Sequence, residues 1–201
     1  MKPTRLEAFS DGVIAIAITI MVLELKAPVE DTFESLRPLV PTFAATLLSF
    51  VNIGIYWNNH HHLIHATRSV DGRILWANLH LLFWLSLMPF TTAWIGKTDV
   101  APLPTAAYGV DLLGCAAAFV VLEMAIVAHE GPTSRLKQAL GTTHKEILSL
   151  VLYLFGIGMA WVNTWVSAVC YAVVAAIWFV PDARIERHLH RESATTDNLT
   201  P

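Results

Sequence analysis

The densest group of chemistry-bearing side chains in this 201-residue sequence is a run of histidines, with His60, His61 and His62 consecutive and His65 close behind. On a helix, His61 and His65 stand four residues apart on one face, a valid spacing for two metal ligands. A structural metal site needs four ligands. The segment from Tyr56 to His65 contains no carboxylate and no cysteine, so only folding would recruit Asp71 or a distant glutamate. The run is therefore read as a hydrogen-bonded polar cluster with no metal and no cofactor, joined by Asn78 and His80 of a neighbouring segment.

Isolated acids are the second group. Asp11 follows Ser10, and Arg5 lies six residues earlier. An acid in a first helical turn is favoured by the helix dipole, and either Ser10 or Asp11 suits an N-cap. Asp111 and Glu123 are twelve apart, close to one face of a helix. Either would neutralise a basic partner or line a proton path, and burial against neighbouring helices is the plainer alternative. Ionisable groups within apolar runs are costly and mark function. Ile16, Ile20 and Leu23 form a third pattern, an apolar stripe at i, i+4, i+7 with Thr19 beside it. A stripe of this kind suits a pore wall or an ordinary packed face equally.

The elements that position these residues follow from composition. Hydrophobic residues make up 55% of the chain and charged residues 14%, against about 25% charged in ordinary soluble domains. The mean hydropathy is +0.53 and the formal net charge −3. This excludes a disordered chain and a nucleic-acid-binding module, and argues against a soluble enzyme. A bilayer-spanning helix needs about 20 mostly apolar residues. Six such segments are predicted, over residues 8–25, 36–57, 74–95, 104–128, 147–162 and 164–180, the last stopped by Pro181. They form one membrane domain over 1–181, followed by a polar tail over 182–201. Lys2 and Arg5 before an apolar run also suit a signal peptide, but the small-residue cleavage pattern is poor and a retained helix is preferred. The fifth and sixth segments meet at Asn163 and must form an antiparallel hairpin. Cys115 and Cys170 lie inside apolar runs and are expected as thiols.

Basic residues orient the segments. The N-terminus, the 2–3 and 4–5 loops and the C-terminal tail hold Lys2, Arg5, Arg68, Arg73, Arg135, Lys137, Lys145, Arg184, Arg187 and Arg191, ten of the thirteen Lys and Arg. Lys26, Arg37 and Lys97 lie on the other side. By the positive-inside rule both termini are cytoplasmic. Glu24 and Lys26 mark the outer end of the first helix. Glu30, Asp31 and Glu34 make the following loop acidic, which concentrates cations there.

The motif Arg5-x-x-x-Phe9-Ser10-Asp11 resembles the signature of the transmembrane protein 175 family of potassium channels. The similarity continues through Gly12 to Thr19, Trp57-x-Asn59-His60-His61, Asp71-x-Arg73-x-x-Trp76-x-Asn78 and Pro89-Phe90-Thr91. The resemblance implies an all-α membrane protein of six transmembrane helices per subunit, assembled as a homotetramer around a pore lined by the first helix. It places the constriction at Ile16, Ile20 and Leu23, with Thr19 as a polar layer. It implies a structural network of Arg5, Phe9, Ser10, Asp11, Trp57, Asn59, His60, His61, Asp71 and Arg73, in which the histidine facing Asp11 is left open. The expected activity is potassium conduction with modest preference over sodium, with proton flow as a second permeation linked to the family. Its partners are copies of itself, lipid and monovalent cations, in a bacterial cell membrane. The sequence has no Thr-Val-Gly-Tyr-Gly loop, so a carbonyl-ring filter is not expected. A secondary transporter or proton-coupled carrier using Asp111, Glu123 and the histidines is the rival reading, although the inverted repeat expected of it is not evident.

Overall fold

A computed structural model of the chain describes residues 2–131 and 144–179. All regular structure among these residues is helical. α1 spans Pro3–Leu23, α2 is a single turn over Phe33–Leu36 continued by a 3-10 turn over Arg37–Leu39, and α3 spans Val40–His65. α4 covers Gly72–Lys97, α5 Pro102–Glu130, α6 His144–Met159 and α7 Thr164–Phe179. By length and composition, α1, α4, α5 and the helical stretch 33–65 are each able to cross a bilayer. As described, α6 and α7 cover 16 residues each and form the hairpin expected at Asn163.

Prolines set several helix starts. Pro3 occupies the first turn of α1, where its missing N–H costs nothing and its fixed φ suits the helix. α1 therefore begins five residues ahead of the expected Ala8 and carries Arg5 and Glu7 on its first turns. This overturns the capping alternative for Ser10 and Asp11, because Lys2 holds the N-cap position, without a side-chain cap bond. Pro38 falls in the 3-10 turn and Pro41 in the first turn of α3, so the regular helix starts at Val40 and runs on through all four histidines. The four remaining long helices lie within three residues of the expected bounds. The polar tail 182–201 and the basic residues Arg135, Lys137, Arg184, Arg187 and Arg191 lie outside the described residues.

α4 is the centre of the bundle and packs against α1, α3 and α5. Its Ile74, Leu81, Leu85 and Met88 are fully buried, as are Ile53 of α3 and Leu112, Leu122 and Ile126 of α5. Gly114 lets α5 approach α4, since a Cβ there would run into the indole ring of Trp84. The α6–α7 hairpin docks on α5 in the same way. Tyr171 of α7 lies against Gly109 and donates its hydroxyl to the Thr105 carbonyl at 3.3 Å. Cys115 and Cys170 are buried free thiols.

Candidate functional site

α1 has two faces. Leu6, Ser10, Ile14, Ala17 and Met21 are buried against the bundle. Opposite them, Phe9, Ile16, Ile20 and Leu23 are exposed by 55%, 59%, 43% and 79%. Arg5 and Gly12 complete this outward line at the same helical spacing. Thr19 is also outward, and its hydroxyl donates to the Ile16 carbonyl at 2.9 Å. The hydroxyl is thus satisfied within its own helix, while its oxygen keeps a lone pair free for another donor or an ion.

Six of the ten signature residues fall in three places rather than one network, and Phe9 lies apart on the outward line of α1. The first is buried. His60 Nε2 meets Asn78 Oδ1 at 2.7 Å, Asn78 Nδ2 donates to Ser10 Oγ at 3.0 Å, and Ser10 Oγ donates to the Leu6 carbonyl at 2.9 Å. The amide oxygen of Asn78 is an acceptor, so His60 must carry its proton on Nε2. His60 Nδ1 has no partner among the described residues. Asn78, expected as an adjunct, is the link that joins α1 to α3 through α4.

The second place is the exposed α1–α3 seam. The Trp57 indole donates to Asp11 Oδ1 at 2.9 Å, so Asp11 meets a tryptophan rather than a histidine. His61 Nδ1 instead meets Glu7 Oε1 at 2.7 Å. Glu7 escaped the sequence reading. Its one clue is its spacing, one helical turn before Asp11 and on the same face.

The third place is the start of α4. Asp71 is its N-cap, accepting from the Ile74 N–H at 2.9 Å, and its other oxygen lies 3.4 Å from His129 Nδ1 of α5. The Ile74 N–H, then the charge of His129, hold the Asp71 carboxyl below its ordinary range. Beside it Ser69 Oγ and His129 Nε2 are 2.9 Å apart, and Glu130 accepts from the Arg68 N–H at 2.8 Å. Arg5 and Arg73 are exposed and form no side-chain hydrogen bond or ion pair among the described residues. Asn59 joins none of the three contacts and lines a cavity between α3, α5, α6 and α7. His80 is also elsewhere, accepting from the Trp84 indole at 3.1 Å.

The remaining acids do not converge. Asp111 is buried and accepts from Thr91 Oγ1 at 2.8 Å, while its Oδ1 has no partner among the described residues. Glu123 lines the cavity of ≈ 420 Å³ that Asn59 shares, near Tyr56, Glu146 and Trp178. Twelve residues of helix put about 18 Å between the two acids. The carrier reading, which needs Asp111, Glu123 and the histidines at one site, has no common site for them here. A buried hydroxyl cluster went unread in the sequence: Ser49 Oγ lies 2.7 Å from Thr92 Oγ1 and 2.9 Å from the Tyr108 hydroxyl. At the opposite end of α1, Lys97 Nζ donates to Glu24 Oε2 at 2.6 Å. That bond and the lysine charge lower the Glu24 pKa.

Comparisons with known proteins bear on the same residues. The model of a family described as endosomal/lysosomal potassium channel TMEM175 matches residues 5–89, which contain α1 from Arg5 onward, α3, and α4 as far as Pro89. A potassium channel of Chryseobacterium sp. (strain P1-3) is 51% identical over 189 residues, covering 94% of this chain and 98% of the relative. The crystal structure of a lysosomal potassium-selective channel TMEM175 homolog from Chamaesiphon minutus superposes with a TM-score of 0.75 at 29% identity, covering 88% of this chain and 95% of that one. The endosomal/lysosomal proton channel TMEM175 of Danio rerio is 31% identical over 96 residues, 41% of this chain and 18% of the relative. These relatives are ion channels and not enzymes. With half of its residues identical to one of them over nearly the full length, and the matching bundle of another, this chain is a membrane protein of the TMEM175 family.

Proposed function

We propose that the chain forms a potassium-conducting cation channel in which α1 lines the pore of a homotetramer. The observation that carries this reading is the outward face of α1. A helix already packed on α3 and α4 keeps Phe9, Ile16, Ile20 and Leu23 uncovered in one line. Copies of the chain arranged about an axis would bring these lines together as a narrow apolar neck, with Thr19 as its polar ring. The chain's likeness to a potassium channel over almost its whole length supports the ion.

A neck of this kind gates by dewetting and sorts ions by the cost of stripping water. Sodium holds its shell more tightly than potassium and pays more, so potassium is preferred modestly. Proton flow through the same path is supported by the name of the vertebrate relative. The excess of basic residues on one side supports cytoplasmic termini in a bacterial cell membrane. Residues 182–201 would then form a cytoplasmic tail.

The deciding experiment is a current across a bilayer containing the purified protein, with potassium on one side and sodium on the other. A reversal potential displaced toward potassium is expected. Absence of potassium current under an applied gradient defeats the reading, and saturable counterflow at carrier rates would replace it. A membrane-impermeant label that reaches the C-terminus from the outside of cells would overturn the orientation.

A further inference from the structure

The histidine run lacks a carboxylate of its own, but the fold brings one to it across the α1–α3 seam. Glu7 Oε1 meets His61 Nδ1 at 2.7 Å. His65, one turn further along α3, has its ring centroid 4.7 Å from that of His61. One donor atom from each of Glu7, His61 and His65 lies within 4.8 Å of the other two. Two imidazoles and a carboxylate form a donor set suited to a borderline divalent ion.

The fit is close. Zinc bonds of about 2.0–2.2 Å at a tetrahedral angle put donor atoms roughly 3.3 Å apart. The most distant pair therefore closes by at most about 1.5 Å, within the reach of a rotamer adjustment by the exposed His65 ring. Glu7 and His61 are half-buried and 2.7 Å apart, so an ion entering between these atoms displaces the proton they share and opens the pair by about 0.6 Å, while the third ligand faces the entry route. Asp11, one turn below, is engaged by the Trp57 indole and stays outside the set.

We infer that Glu7, His61 and His65 bind a divalent transition-metal ion, with zinc as the type. Three protein ligands leave a fourth position open to water, and the ion ties the N-terminal turns of α1 to the last turns of α3. Harder ions such as magnesium prefer all-oxygen shells and are excluded by the two nitrogens. The site does not depend on what α1 conducts, and binding is measured without any ion flux.

The test uses the full-length protein in detergent, stripped with a chelator and titrated with zinc chloride, with magnesium chloride as the control. Calorimetry is expected to give one zinc per chain. Trp57 stacks on the His61 ring with centroids 6.2 Å apart, so its fluorescence should change over the same titration. His65→Asn and Glu7→Gln should each weaken zinc about ten-fold or more, by analogy with losses in other metal sites. The metal-free melting temperature identifies any variant that loosens the seam itself. His65 is exposed, with no hydrogen bond among the described residues, so its variant should melt as the parent does and decides the matter alone. No saturable zinc binding, or zinc held as tightly by His65→Asn as by the parent, overturns the site.

Discussion

The indole of Trp57 and the carboxylate of Asp11 are joined by a 2.9 Å hydrogen bond on the exposed side of the α1–α3 seam, one helical turn from the Glu7–His61 contact. Two acids of α1 thus face two aromatic rings of α3 at matching four-residue intervals. The contact is partly open to solvent, so it contributes about 1 kcal/mol. Asp11→Ala and Trp57→Phe should each lower the melting temperature and, under the proposed assembly, weaken the oligomer in native mass spectrometry. The potassium-to-sodium preference should stay unchanged. An altered reversal potential with an intact oligomer would place Asp11 on the ion path instead.

Ile16 lies near the middle of the outward α1 line and is 59% exposed in the single chain. Ile16→Asn replaces an apolar collar with amides that hold water. Under the proposed arrangement it should raise sodium leak into liposomes more than it raises potassium flux. A variant with parental flux for both ions would remove Ile16 from the constriction.

Gly114 and Trp84 are matched as small against large across the α4–α5 contact. Gly114→Ala forces the indole or the helix to move and should cost about 1–3 kcal/mol, as overpacking generally does. Trp84→Leu in the same chain should restore part of the loss. A double-mutant cycle with no coupling between the two positions would show that the approach is set elsewhere.

Glu24 and Asp71 give the chain an acid dependence at both ends of the bundle. The Glu24 carboxyl is held below its ordinary 4.5 by Lys97. Its contribution is therefore complete above that value and is lost as pH falls through the lower folded value. The pair is exposed, so Glu24→Gln should remove only a small part of the melting-temperature decline on acidification, and less at high salt. Asp71 follows the same sign from an ordinary 3.8, chiefly through the Ile74 N–H. Asp71→Asn keeps a cap acceptor and should be mild near neutral pH, whereas Asp71→Ala should lower the melting temperature more. Equal losses in the two variants would assign the effect to the His129 contact rather than to the cap.

Much of the bundle was legible because apolar length is a property of each segment alone. The α6–α7 hairpin was legible from the shortness of the connection at Asn163. The start of α1 was not, because hydropathy marks where lipid begins and not where the helix does. Pro3 was the available sign, and it sits in the polar stretch ahead of the apolar run. The α1 stripe was readable as a stripe, but its direction needed the partners of Leu6, Ser10 and Ile14. Glu7–His61 and Trp57–Asp11 lay beyond reach for a different reason. Both depend on how α1 is translated and turned against α3, and many settings of two apolar helices bury similar area.

The Ser10–Asn78–His60 chain resolves that last ambiguity. Dispersion between leucine-rich helices is nearly indifferent to spin, whereas hydrogen bonds are not. Displacing α1 by one residue would swing every side chain on it by about 100°. Ser10 would leave Asn78, and the buried Asn78 Nδ2 would lose its acceptor while Oδ1 kept His60, at a cost of about 1–3 kcal/mol. Three buried polar side chains therefore act as the key that indexes a greasy rod. They fix the azimuth at which Ile16, Ile20 and Leu23 point away from the bundle, so a polar contact that touches no permeating ion determines which surface an ion would meet.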